Sequence, residues 1–430
     1  MEIVLYLALA FGFYMAWTIG SNDAANAMGT SVGSGAITFK EAVIIAAIFE
    51  FGGALIAGSS VTDTMRKGIL DPNLFNALPN GAELFALGML AALIAAAIWL
   101  HLAAFLGWPV STTHSIVGAI TGFGAVSLGI SNVNLGLLAT IMASWLISPV
   151  VGGLLAFFIF WGIRELILDA DDPVTAVKKW APLFAFPVFV VLSLVLFVKG
   201  LKHTDIAVGP VGTMGISAGV GVLASVVLWV VLSKVDLKGA TVGEDDSLEK
   251  DRATFSEVER VFRYLQTITA CFVAFAHGSN DVANAVGPLA AIVSLFDGNV
   301  FRESAAIGTE VGVPIWVLLI GGIGIVVGLA TYGYKVIETI GTKITEITPS
   351  RGFAAEFGAA TTILVGSKLG LPLSTTHTVV GAVIGVGFAR GMNALNLQII
   401  WNIIKSWLYT LPFTAILTVL LYWGLKAIFI

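Results

Sequence analysis

The sequence predicts an all-α polytopic membrane protein of about twelve transmembrane helices, arranged as two inverted-topology repeats with broken or re-entrant helices. Three observations predict it. First, 57% of the 430 residues are hydrophobic and 11% are charged, with a mean hydropathy of +0.95. Soluble domains carry about 25% charged residues, so most of this surface must face lipid. Second, Gly20-Ser21-Asn22-Asp23-Ala24-Ala25-Asn26-Ala27 returns as Gly278-Ser279-Asn280-Asp281-Val282-Ala283-Asn284-Ala285, each copy inside an apolar segment. Third, Pro109-Val110-Ser111-Thr112-Thr113-His114 recurs as Pro372-Leu373-Ser374-Thr375-Thr376-His377, and Ser144-Trp145 with Pro149 matches Ser406-Trp407 with Pro412. Three landmarks in one order imply a duplicated half.

A span needs ~20 apolar residues. By that measure the spans are 3–19, 42–60, 84–106, 110–130, 135–161, 182–199, 211–232, 264–294, 304–331, 354–369, 373–388 and 397–428. The segments 110–130 and 373–388 are short and Gly-rich and open on polar residues, which predicts broken or re-entrant helices. Residues 1–162 form the first repeat, 163–232 two connector spans, 233–263 a linker and 264–430 the second repeat. Repeat one and the connectors make seven spans. Repeat two therefore inserts upside down, the architecture in which broken helices meet at a midplane site.

Residues 234–263 hold 14 of the chain's 49 charged residues, which marks a water-exposed linker. Thr254 with Glu257 forms a capping-box pattern there. Phe255, Val258, Val261, Phe262 and Leu265 follow as an apolar stripe suited to the membrane surface. With the N-terminus outside, inner loops carry 14 Lys/Arg and outer loops 7, so the linker is expected in the cytoplasm and the protein in the plasma (inner) membrane. Met1-Glu2-Ile3 lacks a basic leader, so the first apolar run reads as a retained span. The single cysteine, Cys271, precludes an intrachain disulfide, and no basic block suggests nucleic acid.

A carboxylate between two Asn in an apolar span is costly to bury, and twice over it predicts a shared site. Asn22, Asp23 and Asn26, with Asn280, Asp281 and Asn284, offer the oxygens a hard cation takes, and the preceding Gly allows a helix to unwind and free carbonyls. His is absent from the motif core, against a transition-metal site. Ser111, Thr112 and Thr113, with Ser374, Thr375 and Thr376, read as helix N-termini able to hold an anion through N–H groups, dipole and hydroxyls. Two such ends, entering from opposite sides, can clamp a tetrahedral oxyanion. No Arg or Lys lies in either motif. A dianion beside two Asp would face like-charge repulsion in a poorly solvated place, so cation coupling is required. The oxygen-rich set favours sodium, with protons the alternative. Glu50 and Glu310 lie 27 and 29 residues beyond the two Asp and are candidate cation ligands or gate elements.

These motifs resemble the duplicated signature of the PiT family of inorganic phosphate transporters, and the Ser-Thr-Thr-His segments are similar to that family's other repeated block. The resemblance covers both halves outside the linker. It implies inorganic phosphate import coupled to sodium or protons, by the residues just named. It implies no enzyme activity and no organic cofactor, with a proton-coupled phosphate or sulfate symporter of the same architecture as alternative. The linker, some 30 residues, is short where animal members have a long loop.

His114 and His377 read as packing donors, Lys405 as a cation without a repeat partner. An intramembrane hydrolase using Ser111 or Ser374 leaves both Asn-Asp motifs idle, and a channel does not need a deep charged site. Stoichiometry and oligomeric state are left open by the sequence, with a homodimer one expectation.

Overall fold

The computed structural model describes residues 1–200, 209–235, 237, 247–297, 300–301, 313–339, 344–391 and 395–430. Its elements are helical apart from a short antiparallel pair, Phe296–Asp297 with Val300–Phe301. In chain order the helices are α1 (Glu2–Ile19), α2 (Ala25–Gly33), α3 (Phe39–Ala57), α4 (Ser59–Asp63), α5 (Gly81–Leu106), α6 (Thr112–Leu128) and α7 (Leu135–Ile163). After these come α8 (Pro173–Gly200), α9 (Pro210–Lys234), α10 (Ser247–Val293), α11 (Ile315–Tyr332) and α12 (Tyr334–Glu338). The chain ends with α13 (Pro349–Lys368), α14 (Thr375–Arg390) and α15 (Leu397–Phe429).

Among the described residues seven helices are long and apolar enough to cross a bilayer, or eight if the pair Phe39–Ala57 and Ser60–Gly68, bent by 62°, is one span. That is fewer than the twelve expected, and for two of the missing segments the reason is geometric. At 1.5 Å per residue, α6 (17 residues) and α14 (16 residues) reach only about 25 Å, short of a ~30 Å core. Each instead folds back on the helix before it. The ring of Phe123, near the end of α6, lies against Gly88 and Phe85 near the start of α5, through Phe75. α14 packs on α13 in the same way.

The two hairpins are exchanged between halves. α15 packs along α5 and α6, and α7 along α13 and α14. Glycine permits these crossings: a Cβ at Gly118 would stand 2.7 Å from the Leu411 carbonyl oxygen, and one at Gly381 2.3 Å from that of Pro149. Backbones thus approach through small residues, as they must where lipid supplies no hydrophobic drive. Trp145 Nε1 donates to the Pro372 carbonyl at 3.0 Å and Trp407 Nε1 to that of Pro109 at 3.1 Å, a matched pair. α5 lies at the centre, with every residue from Phe85 to Ala97 buried.

The linker helix departs from expectation. α10 begins at Ser247 and runs through positions 254 and 257 without a break, so no helix starts there. Val258, Val261, Phe262 and Leu265 are buried in the protein rather than laid on a membrane surface, and Phe262 meets the Phe353 ring of α13 at 5.9 Å. Glu259 caps α13 directly, accepting from the Ser350 backbone N–H and hydroxyl, both at 2.7 Å. Phe255, at the head of the stripe, stays exposed, and at Phe262 the stripe faces α13.

Candidate functional site

Neither Asn-Asp motif unwinds. Gly20–Ala24 forms one π-helical turn joining α1 to α2, and the second copy lies inside unbroken α10. The leading glycines serve close packing. A Cβ at Gly20 would stand 1.8 Å from the Ile325 carbonyl oxygen, and one at Gly278 2.0 Å from that of Glu50. A widened π turn recurs at functional sites because it redirects side chains without breaking the helix.

The breaks are instead at the Ser-Thr-Thr segments. Ser111 and Ser374 are extended N-caps, accepting from the His114 and His377 N–H at 3.2 Å each. Both helix ends are buried, and they interlock: Thr113 Oγ1 donates to the Leu373 carbonyl at 2.8 Å and Thr376 Oγ1 lies 3.1 Å from that of Val110. The His114 ring lies tilted against Trp145 and the His377 ring stacks on Trp407, at 3.7 and 3.5 Å between centroids.

The motifs of the two halves meet. Asp23 accepts from Thr376 Oγ1 at 2.7 Å and from the Thr112 N–H at 3.3 Å, while Thr375 Oγ1 donates to Asp281 at 2.5 Å. Asn26 Nδ2 donates to Thr376 Oγ1 at 3.0 Å, and Asn284 Nδ2 to Thr113 Oγ1 at 3.3 Å. Asn22 and Asn280 donate to the Trp108 and Leu371 carbonyls, at 3.0 and 3.2 Å, fixing each motif to a hairpin tip.

One consequence repeats four times. Each amide spends its NH2 on the protein, and the Oδ1 atoms of Asn22, Asn26, Asn280 and Asn284 are buried with no partner among the described residues. Asp281 Oδ1 and Thr112 Oγ1 share that condition. Buried acceptors without donors are costly unless something electropositive meets them, and oxygens alone suit a hard monovalent or divalent cation. Ligand atoms of Asp23 and Asp281 lie within 4.8 Å of one another, with His277 in the same group.

His277 was not legible in the motifs. It precedes Gly278, where the first copy has Ile19, and comparing the copies for differences would have found it. Its ring lies 2.9 Å from Asp281 and 3.2 Å from Glu50, which brings Glu50 to the edge of the site. The expectation of a His-free centre is thereby corrected: the two copies differ just outside the motif. Glu310 lies outside the described residues.

Glu356 was missed as well. It is buried in α13, where the first copy has Leu93, and accepts from Thr30 Oγ1 (2.8 Å), Gln266 Nε2 (2.9 Å), Thr269 Oγ1 (2.6 Å) and Ser31 Oγ. A carboxylate in the apolar run Phe353–Phe357 was the available signal.

Comparison with known proteins agrees with these motifs. The model of the family described as "Phosphate transporter family" matches residues 19–418. A putative phosphate permease of Pyrococcus abyssi is 46% identical, with 98% of each chain covered. One from Haemophilus influenzae is 44% identical over 99% of this chain and 97% of its own. The chloroplastic inorganic phosphate transporter 2-1 of Arabidopsis thaliana is 46% identical over 98% of this chain and 72% of its own. Among solved structures, one described as the sodium-dependent phosphate transporter superposes with a TM-score of 0.85 at 39% identity, covering 99% of this chain and 100% of that one.

Proposed function

The chain belongs to the phosphate transporter family, and from that premise we propose that it is a sodium-coupled inorganic phosphate symporter working by alternating access. It is a multi-pass membrane protein and a secondary transporter. The observation that carries the cation half of this reading is the set of four unpartnered Asn oxygens around Asp23 and Asp281.

We assign sodium to the two Asn-Asp motifs, through Asn22, Asp23 and Asn26 and through Asn280, Asp281 and Asn284. Phosphate we assign to the facing helix ends, Ser111, Thr112 and Thr113 with Ser374, Thr375 and Thr376. The charge balance explains the coupling. Two carboxylates and a hydrogenphosphate dianion carry four negative charges where water is scarce, so the anion binds only once cations are present. By linkage, phosphate raises sodium affinity to the same degree. Glu50 is assigned to the same centre through His277; Glu310 is assigned as its counterpart by its place in the sequence.

Twelve helices in two inverted repeats, bounded as 1–162, 163–232, 233–263 and 264–430, remain our reading of the architecture. Its support is pairwise: the Asn134 N–H donates to the Ile69 carbonyl and the Asn396 N–H to that of Ile344, both at 3.0 Å. Rocking of the exchanged hairpins against α7 and α15 would expose the centre to each side in turn. The Lys/Arg count supports an outer N-terminus and a cytoplasmic linker, and a homodimer is retained as a proposal.

A proton-coupled phosphate symporter is the second reading, and one observation favours it. His277 sits between Glu50 and Asp281, where a proton can stand in for a cation. Phosphate accumulation in proteoliposomes under separate sodium and proton gradients decides between the two.

A further inference from the structure

Beside the tip of the α5–α6 hairpin lies a cavity of about 520 Å³. Trp108 and Pro109 form part of its wall, two residues ahead of the Ser111 cap. Across from them α15 contributes Asn402, Lys405, Ser406 and Tyr409, whose spacing places them on one helix face. A lysine so placed in an apolar helix is unusual. The interaction it does make is with the Trp401 ring, 5.6 Å from its centroid, and it meets no carboxylate among the described residues. The Asn402 amide and the Tyr409 hydroxyl make no protein hydrogen bond among them either. Ala143 precedes Ser144-Trp145 in the first copy, so the packing common to both copies does not demand the ammonium. The cavity is also tied to the deep centre, because Asn22 holds the Trp108 carbonyl.

An ammonium, an amide and a phenol, all exposed around an open volume, suit a phosphate group, and a positive charge lining a cleft concentrates anions, with Lys335 close by at the Phe105 carbonyl, 3.4 Å away. We propose that this cavity is a second, transient phosphate site, an antechamber in which Lys405 holds the anion on its way to or from the Ser-Thr-Thr ends. The inference rests on the phosphate reading and extends it. A lipid phosphodiester shares the same chemistry, so the test must separate the two sources.

The test places Asn402→Cys in a Cys271→Ser background, in proteoliposomes of phosphatidylcholine, and follows labelling by a charged thiol reagent. The expected result is labelling that inorganic phosphate slows several-fold, protection that Lys405→Gln abolishes and Lys405→Arg keeps. A cysteine that never labels, or that labels at one rate with and without phosphate, overturns the antechamber. Protection that appears only after phosphatidylglycerol is added identifies a headgroup site and overturns it too. Sodium-driven phosphate uptake by the unsubstituted protein is measured alongside. Its absence would remove the underlying phosphate reading, and with it the antechamber, whereas intact uptake with an unprotected cysteine removes the antechamber alone.

Discussion

The hydroxyl of Thr376 lies 2.7 Å from the carboxylate of Asp23, joining the second half's helix end to the first half's acidic motif across 353 residues of sequence. The same carboxylate takes the Thr112 N–H, so one side chain bridges both hairpins. Under the proposed assignment, cation ligands and anion donors are hydrogen-bonded to one another, so neither ion binds without reporting on the other.

Asp23→Asn should therefore weaken both ions. Loss of a charge-assisted cation contact predicts about a tenfold rise in the sodium dissociation constant, roughly 1.4 kcal/mol, and a rise for phosphate when it is measured in the presence of sodium. Equilibrium binding isotherms of each ion at fixed concentration of the other check it. A change confined to phosphate would show that Asp23 is not a cation ligand.

Gly278→Ala forces a methyl onto the Glu50 carbonyl oxygen, 2.0 Å away, where backbone stands on both sides. Overpacking of this kind costs about 1–3 kcal/mol or more. The detergent-solubilised variant should unfold several degrees lower than the parent, while Gly52→Ala, with nothing within 4 Å of its Cβ, should not. Equal melting of the two would mean that α3 and α10 can separate freely.

Glu50→Gln removes a carboxylate 3.2 Å from His277. Sodium activation of uptake should shift to higher sodium concentration, with protein yield retained because glutamine keeps the shape. An unchanged sodium titration would leave Glu50 with a packing role alone.

Glu356→Ala strands the donors of Thr30, Ser31, Gln266 and Thr269 around an empty position. Each buried group without a partner costs about 1–3 kcal/mol, so this should be among the most destabilising single changes in the chain. Thermal unfolding measures it, and Glu356→Gln should recover part of the loss by restoring an acceptor.

The duplication made much of this readable. Both motif sets, the buried N-caps at Ser111 and Ser374 and the long apolar helices such as α1, α5, α7 and α15 follow from apolar runs, proline and repeated letters. What escaped lies where the copies differ or where partners are distant. Gly20 and Gly278 read as hinges because a sequence cannot display the Ile325 and Glu50 carbonyls that crowd them. The stripe from Val258 to Leu265 read as a membrane face because amphipathicity names no partner, and its partner is α13. His277 and Glu356 have no counterparts at Ile19 and Leu93, so a search for repeats passes over them.

The central claim is that sodium at the Asn-Asp motifs drives phosphate across the membrane. The most direct measurement is radiolabelled phosphate uptake into proteoliposomes with inward sodium and proton gradients imposed separately. The account predicts accumulation under the sodium gradient alone, lost in Asp281→Asn. Accumulation under the proton gradient alone would contradict it and turn Asp23, Asp281 and His277 into proton carriers.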